Sequence, residues 1–261
     1  PDNEAVDQWM RGAFIMSRIR TKPQLLQARA HFEAALALQP DSSHALAGLA
    51  ATGTEMLLYR WADQPAAELG SAERLARRAL ELDPQNQEAM MALANALMFS
   101  GRLADAMPIT QKHLSLNPND SRANRDLAGQ YHFQGRWEES VKQVEVAIRL
   151  NPLDSLNIAV CHNMASASLL ASRRYDECIA RARLAVDGPR AGSHDSVAAA
   201  EAWRGNLEAA RAHAAAWLRS WPGASIAHLR AQRGSKEPAY LTGMEHYYEG
   251  LRRAGIPERP A

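Results

Sequence analysis

Cysteine is nearly absent from the 261 residues, with Cys161 and Cys178 the only two. They cannot build the disulfide framework of a small secreted domain, and no C-x-x-C or Cys/His run has the spacing of a zinc site. Cysteine usage leaves the redox compartment open. Aromatic residues make up 6% of the chain, and valine and isoleucine are scarce beside abundant alanine, which excludes a sheet-dominated fold and favours closely packed helices. Charge of one sign is missing too: 30 Lys plus Arg stand against 29 Asp plus Glu, for a net +1. No global field draws such a chain to phosphate backbones or anionic lipid, so nucleic-acid binding by this chain is not expected.

Long apolar runs are also lacking. The longest uncharged stretch, residues 155–172, is interrupted by Asn157, His162, Asn163, Ser166 and Ser168, whereas a spanning helix needs about 20 predominantly apolar residues. No membrane segment is expected in this chain. The start, Pro1-Asp2-Asn3-Glu4, has neither the basic opening nor the apolar core of a signal peptide and carries no Met, as in a processed protein or a piece of a longer polypeptide. The expected location is cytoplasmic, or periplasmic where an anchor lies upstream. No G-x-S-x-G, H-E-x-x-H, P-loop or dinucleotide fingerprint occurs, and the glycines stand singly at turns. An enzyme is not expected; nor is a cofactor or a metal site.

What the sequence does have is a period. Ala37-Leu38-Gln39-Pro40, Glu81-Leu82-Asp83-Pro84, Ser115-Leu116-Asn117-Pro118 and Arg149-Leu150-Asn151-Pro152 recur, with Pro84, Pro118 and Pro152 spaced by 34. Gly101-Arg102 and Gly135-Arg136 are also 34 apart, where glycine suits the reversal between two helices. Small residues at Ala94, Ala106 and Ala128 let paired helices approach, and the recurring proline ends the second helix of each pair. The expected fold is all-α, a solenoid of about six helix hairpins with C-terminal capping helices. Its units fall near 4–40, 41–84, 85–118, 119–152, 153–190 and 191–224, so that the array occupies 1–224 and the capping helices and tail 225–261. The first helix runs from Glu4 to Arg20, with Trp9, Ala13, Met16 and Ile19 at helical spacing.

The period slips twice. Pro40 to Pro84 is ten residues over, which assigns a long loop to Met56–Leu69 around Trp61 and Pro65. Trp137 to Tyr175 is 38, about one extra helical turn, placed in the first helix of the fifth unit. Cys161 and Cys178 then face each other across that hairpin as free, buried thiols. After Pro222 the period stops, leaving a short helix near Ser225–Ala231, a polar break from Gln232 to Pro238 and an amphipathic helix from Ala239 to about Ala254.

These features resemble the tetratricopeptide repeat family throughout 4–223. More narrowly, residues 28–38, the Trp61 insertion and the ending Tyr248-Glu249-Gly250-Leu251-Arg252-Arg253-Ala254-Gly255-Ile256-Pro257-Glu258 resemble the C-terminal regulatory part of bacterial class III adenylate or guanylate cyclases and of related winged-helix regulators. The resemblance implies an output domain upstream, catalytic or DNA-binding, and carries neither activity onto any residue of this chain.

In such a stack the first helix of each hairpin lines the concave side, and residues one or two positions off its packing face look into the groove. These are Met91, Asn95, Met98 and Phe99 in unit three, Arg122, Arg125, His132 and Phe133 in unit four, and Asn163 in unit five. Two cations beside amides resemble part of the carboxylate clamp of some tetratricopeptide proteins, with Met91 standing where a clamp would have a lysine. The expected partner is a protein or peptide with an acidic side chain or chain end, another domain of the same polypeptide, or a second copy of the chain. Met98 and Phe99 have a second reading as packing against the next hairpin, because groove and inter-repeat core adjoin.

Overall fold

The computed structural model describes residues 3–18, 21–185, 193–231 and 234–260. Ile19, the boundary between 190 and 191, and residues 232–233 of the polar break lie outside the described residues. Among those described there are fourteen α-helices and no strand. The chain divides into two compact units, Pro1–Pro118 and Asn119–Ala261.

The first unit holds three antiparallel hairpins: α1 (Asn3–Met16) with α2 (Lys22–Leu38), α3 (Ser43–Leu58) with α4 (Pro65–Leu82), and α5 (Gln87–Phe99) with α6 (Leu103–Leu116). In α3 eleven of sixteen residues are buried and in α5 ten of thirteen, whereas α4 buries only Ala72, Ala76 and Ala79. A helix buried on most of its circumference lies inside a stack, and one buried along a single i, i+4, i+7 stripe forms its outer layer. Alanine makes the inner position available, since small side chains let neighbouring helices close in from both sides.

The extra ten residues of the second hairpin do not form one long loop. Three lengthen α3 relative to α5, four lengthen α4 relative to α6, and the connection 59–64 is three longer than 100–102. Propensity explains the outcome: Ala66, Ala67, Glu68 and Leu69 are helix formers, and Pro65 sits at the first helical position where its missing N–H costs nothing.

The second unit holds α7 (Ser121–Phe133) with α8 (Trp137–Leu150), α9 (Ser155–Ala171) with α10 (Tyr175–Leu184), and α11 (His194–Trp203) with α12 (Leu207–Ser220), followed by α13 (Ile226–Ala231) and α14 (Pro238–Arg253). The four-residue excess falls in α9, seventeen residues against thirteen in α7. Inner helices begin two residues after each proline on a capping side chain: Asn86 Oδ1 accepts from Ala89 N–H (2.9 Å), Asp120 Oδ1 from Arg122 N–H (2.9 Å) and Asp154 Oδ1 from Asn157 N–H (3.1 Å). Hairpin turns close through one left-handed residue: Gly101, Gly135 and Gly205 at φ of 74–86°, with Arg60 and Arg173 taking the same role at 55° and 63°. The residue after each returns its N–H to a carbonyl five positions back, as Arg174 does to Leu169 (2.8 Å).

α14 covers the last hairpin, packing chiefly on α11, and also reaches α9. Gly250 makes the contact with α11 close: a Cβ there would lie 2.8 Å from Ala199 Cβ and 2.9 Å from Ala199 O. The chain end is fastened by Ile226 N–H donating to Pro257 O (3.0 Å) and Ala227 N–H to Glu258 O (2.9 Å).

Candidate functional site

The residues expected to line the groove divide by burial. In the first unit Met91, Asn95 and Met98 are 3–5% exposed and Phe99 is partly exposed, so packing accounts for Met91 and Met98. In the second unit Arg122, His132, Phe133 and Asn163 are partly exposed, whereas Arg125 is 1% exposed.

Arg125 therefore differs from the groove cation expected of it. Its Nε and Nη2 donate to Asp126 Oδ1 at 2.9 and 2.8 Å, and its Nη1 donates to Asn157 Oδ1 at 3.1 Å. The reason is helical phase: a residue displaced by one or two positions from the packing face of α7 still lies beneath α9. The bonding continues from there. Asn157 Nδ2 donates to Ser121 Oγ (2.9 Å), which donates to the Ala147 carbonyl (2.9 Å). One buried polar chain thus ties α7 to α9 and α8, and its charged members are held by charge-assisted bonds.

The first unit contains the same device. Asn86 Nδ2 donates to Ser43 Oγ (2.9 Å), and Ser43 Oγ donates to the Ala79 carbonyl at the end of α4 (2.9 Å). Sequence reasoning missed both. The available signal was a serine three residues after the proline, Ser43 after Pro40 and Ser121 after Pro118, a spacing at which a hydroxyl can satisfy a late carbonyl of the preceding helix.

His132 and Phe133 meet an internal partner. Tyr240 of α14 packs edge-on to both, with ring centroids 5.7 and 5.5 Å apart, and Trp137 lies 5.2 Å from His132. Although His132 as a whole is partly exposed, its ring is enclosed by Phe133, Trp137 and Tyr240 with Nδ1 2.8 Å from Ser168 Oγ, and this burial pushes its pKa down to about 4, so the imidazole is neutral at pH 7. Farther along α14, His246 stacks on Trp203 at 4.3 Å and on Tyr175 at 5.9 Å. Asn163 Oδ1 accepts from Ser193 Oγ. The structure therefore brings His132 and Phe133 together under α14 and draws Arg125 into the interior.

The two cysteines are free and buried, but in separate clusters: Cys161 packs with Ala128, Val144, Ala147 and Ala165, and Cys178 with Leu169, Ile179 and the α11 side. They do not face each other, because α9 and α10 point these positions toward the preceding and the following hairpin. Burial raises both thiols, Cys161 to about 12, so neither is a nucleophile at neutral pH. Among the described residues no group of three or more His, Cys, Asp and Glu could hold a metal ion, and no helix is long and apolar enough to cross a membrane.

Residues 66–125 match the sequence profile of the tetratricopeptide repeat. That segment runs from α4 into α7, and the hairpins share the fold of tetratricopeptide repeat proteins. Among solved structures similar to the chain, pilF of Pseudomonas aeruginosa is 18% identical over 88% of this chain and 97% of that one, with a TM-score of 0.58. The Cut9–Hcn1 APC/C hetero-tetramer is 14% identical over 95% of this chain and 43% of its counterpart, with a TM-score of 0.69. A tetratricopeptide repeat protein from Parabacteroides merdae is 15% identical over 96% and 84%, with a TM-score of 0.57. At these identities the likeness is one of fold. No curated protein sequence matches the chain.

The residues behind the expected cyclase resemblance make packing and ion-pair contacts. Ala28, Phe32 and Ala35 form the buried stripe of α2, Trp61 packs on Tyr59 at 4.8 Å, and Glu258 takes ion pairs from Arg230 (2.8 Å) and Arg252 (3.0 Å).

Proposed function

We propose that the chain is a non-catalytic protein–protein interaction module, with the repeats of 1–224 as the binding array and 225–261 as its cap. The observation that carries this is the buried polar chain from Arg125 through Asn157 and Ser121 to Ala147. It fixes α7 on α8 and α9 before any partner arrives, so binding does not have to pay for ordering the helices that carry Arg122 and Asn163. Arg122 is the cationic contact in this reading, Asn163 the amide contact, and Arg125 positions them. The partner is a protein or peptide presenting an acidic side chain or a free chain end.

The test is fluorescence anisotropy with labelled peptides carrying acidic C-termini, each as the free acid and as the amide. Free acids should bind more tightly, salt should weaken them, and Arg122→Ala should cost about 1.5 to 3 kcal/mol for each charge-assisted bond lost. An affinity indifferent to the carboxylate, to salt and to Arg122 would place the binding surface elsewhere.

A second reading makes the same array the regulatory end of a longer signalling polypeptide, a nucleotide cyclase or a transcription regulator. Residues 28–38, the Trp61 insertion and the ending 248–258 favour it, as the segments that carry the resemblance. The coding sequence upstream decides: acidic metal-binding residues in a cyclase fold or a winged helix supports it, and neither removes it.

A further inference from the structure

The outer face of α1 carries an exposed apolar stripe. Val6, Met10 and Phe14, at i, i+4 and i+8, are 36%, 57% and 57% exposed. The inner face is committed: Ala5 and Gly12 are buried, and Trp9 packs against His44 of α3 with ring centroids 5.0 Å apart. A shallow depression lined by Met10, Arg11, Phe14, Ile15 and His31 borders the stripe. Scattered exposed apolar residues are ordinary on a protein surface, but three in register along one helix mark an interaction face.

The charges beside the stripe identify the occupant. Glu4 and Asp7 lie toward the start of α1, and Arg11 and Arg18 toward and past its end. Asp7 pairs with Arg11 at 2.7 Å, and the Arg18 guanidinium lies 4.5 Å over the Phe14 ring. At 100° per residue Glu4, Asp7 and Arg11 fall along one flank of the stripe, and Arg18, two residues past the end of α1, is held beside it by its contact with Phe14. A second α1 laid antiparallel, with a two-fold axis at Met10, sets Met10 on Met10 and Val6 on Phe14 of the second copy. The same register sets Glu4 opposite the end of the second copy's α1, which Arg18 follows, and brings Asp7 within two positions of its Arg11, an axial offset of about 3 Å that such side chains can span. A parallel arrangement would put the two charged flanks on opposite edges of the contact, out of reach of each other.

We propose that α1 is a self-association surface through which two copies of this chain pair antiparallel about Met10. One helix from each side makes a small interface, so the dimer is a weak one, with a dissociation constant on the order of 10 to 100 µM. This is independent of the groove reading, because its readout is the assembly state of the chain alone.

Sedimentation equilibrium of the 261-residue chain from about 5 to 500 µM, a range chosen to bracket that constant, reads it directly. The expected result is a monomer–dimer equilibrium that Met10→Arg weakens by about 100-fold, since the substitution buries like charges on the axis. Leu116→Arg, at an exposed leucine outside the stripe, should leave the equilibrium unchanged. A charge exchange tests the register without touching the apolar residues: Arg18→Glu should weaken dimerisation, and Glu4→Arg with Arg18→Glu should restore it. Wild-type chain that stays monomeric throughout the range overturns the proposal and leaves the stripe to another protein segment. A dimer indifferent to Met10→Arg, or a double exchange no better than the single, overturns it as well.

Discussion

Replacing Arg125 by alanine separates a cation that binds from one that holds the fold. The guanidinium is 1% exposed, makes two bonds to a carboxylate that is itself 5% exposed, and makes a third to Asn157. Truncation leaves the Asp126 charge buried without those bonds, and breaking a buried pair from one side costs about 3 to 5 kcal/mol. Total stability of such a domain is about 5 to 15 kcal/mol, so the loss is a large part of it. Urea denaturation followed by circular dichroism at 222 nm should show Arg125→Ala with a much lower midpoint, and Arg122→Ala, at a partly exposed position, within about 1 kcal/mol of wild type. A stack whose repeats touch only their neighbours can unfold in stages, so the early transition should belong to residues 119–261. Arg125→Met with Asp126→Asn should regain about half of the loss or more, because no uncompensated charge remains. A loss below about 1 kcal/mol for Arg125→Ala, or a double variant no better than the single, would refute the assignment of this residue to the interior network.

Two further outcomes follow from burial. The His132 pKa is held near 4 against 6.5 in the unfolded chain, so between those values the unfolded state binds a proton that the folded state does not. Its contribution is complete above about pH 6.5 and is lost as pH falls. Wild type should lose about 2 kcal/mol more than His132→Gln between pH 7.5 and pH 5 in urea midpoints, and parallel pH profiles would count against a buried neutral imidazole. Cys161 and Cys178, both fully buried with raised pKa values, should react with a thiol reagent only after denaturant is added, and two rapidly labelled thiols in the native protein would contradict that packing.

Some features of this protein are local and could be read from residue order. The prolines spaced by 34, the small residues at the close approaches and the glycines of three of the hairpin turns each act within a few positions of themselves. Helix number, hairpin pairing and the longer α9 therefore follow from spacing alone. The second hairpin departs from the period. Spacing locates the excess residues, but seven of the ten are helix, three at the end of α3 and four at the start of α4, where propensity around Pro65 and Ala66 outweighs the repeat pattern. Tertiary structure alone decided the fate of the individual side chains on the inner helices. Helical phase distinguishes a residue on the packing face from one opposite to it, but not the positions between, because their burial depends on how closely the neighbouring helices pass. Arg122 and Arg125 are three residues apart on α7, yet one is partly exposed and the other is enclosed with Asp126 and Asn157. In the same way His132 and Phe133 lie under Tyr240, more than a hundred residues later in the chain. Contacts at that separation are set by the accumulated geometry of three stacked hairpins, which no spacing within the sequence encodes.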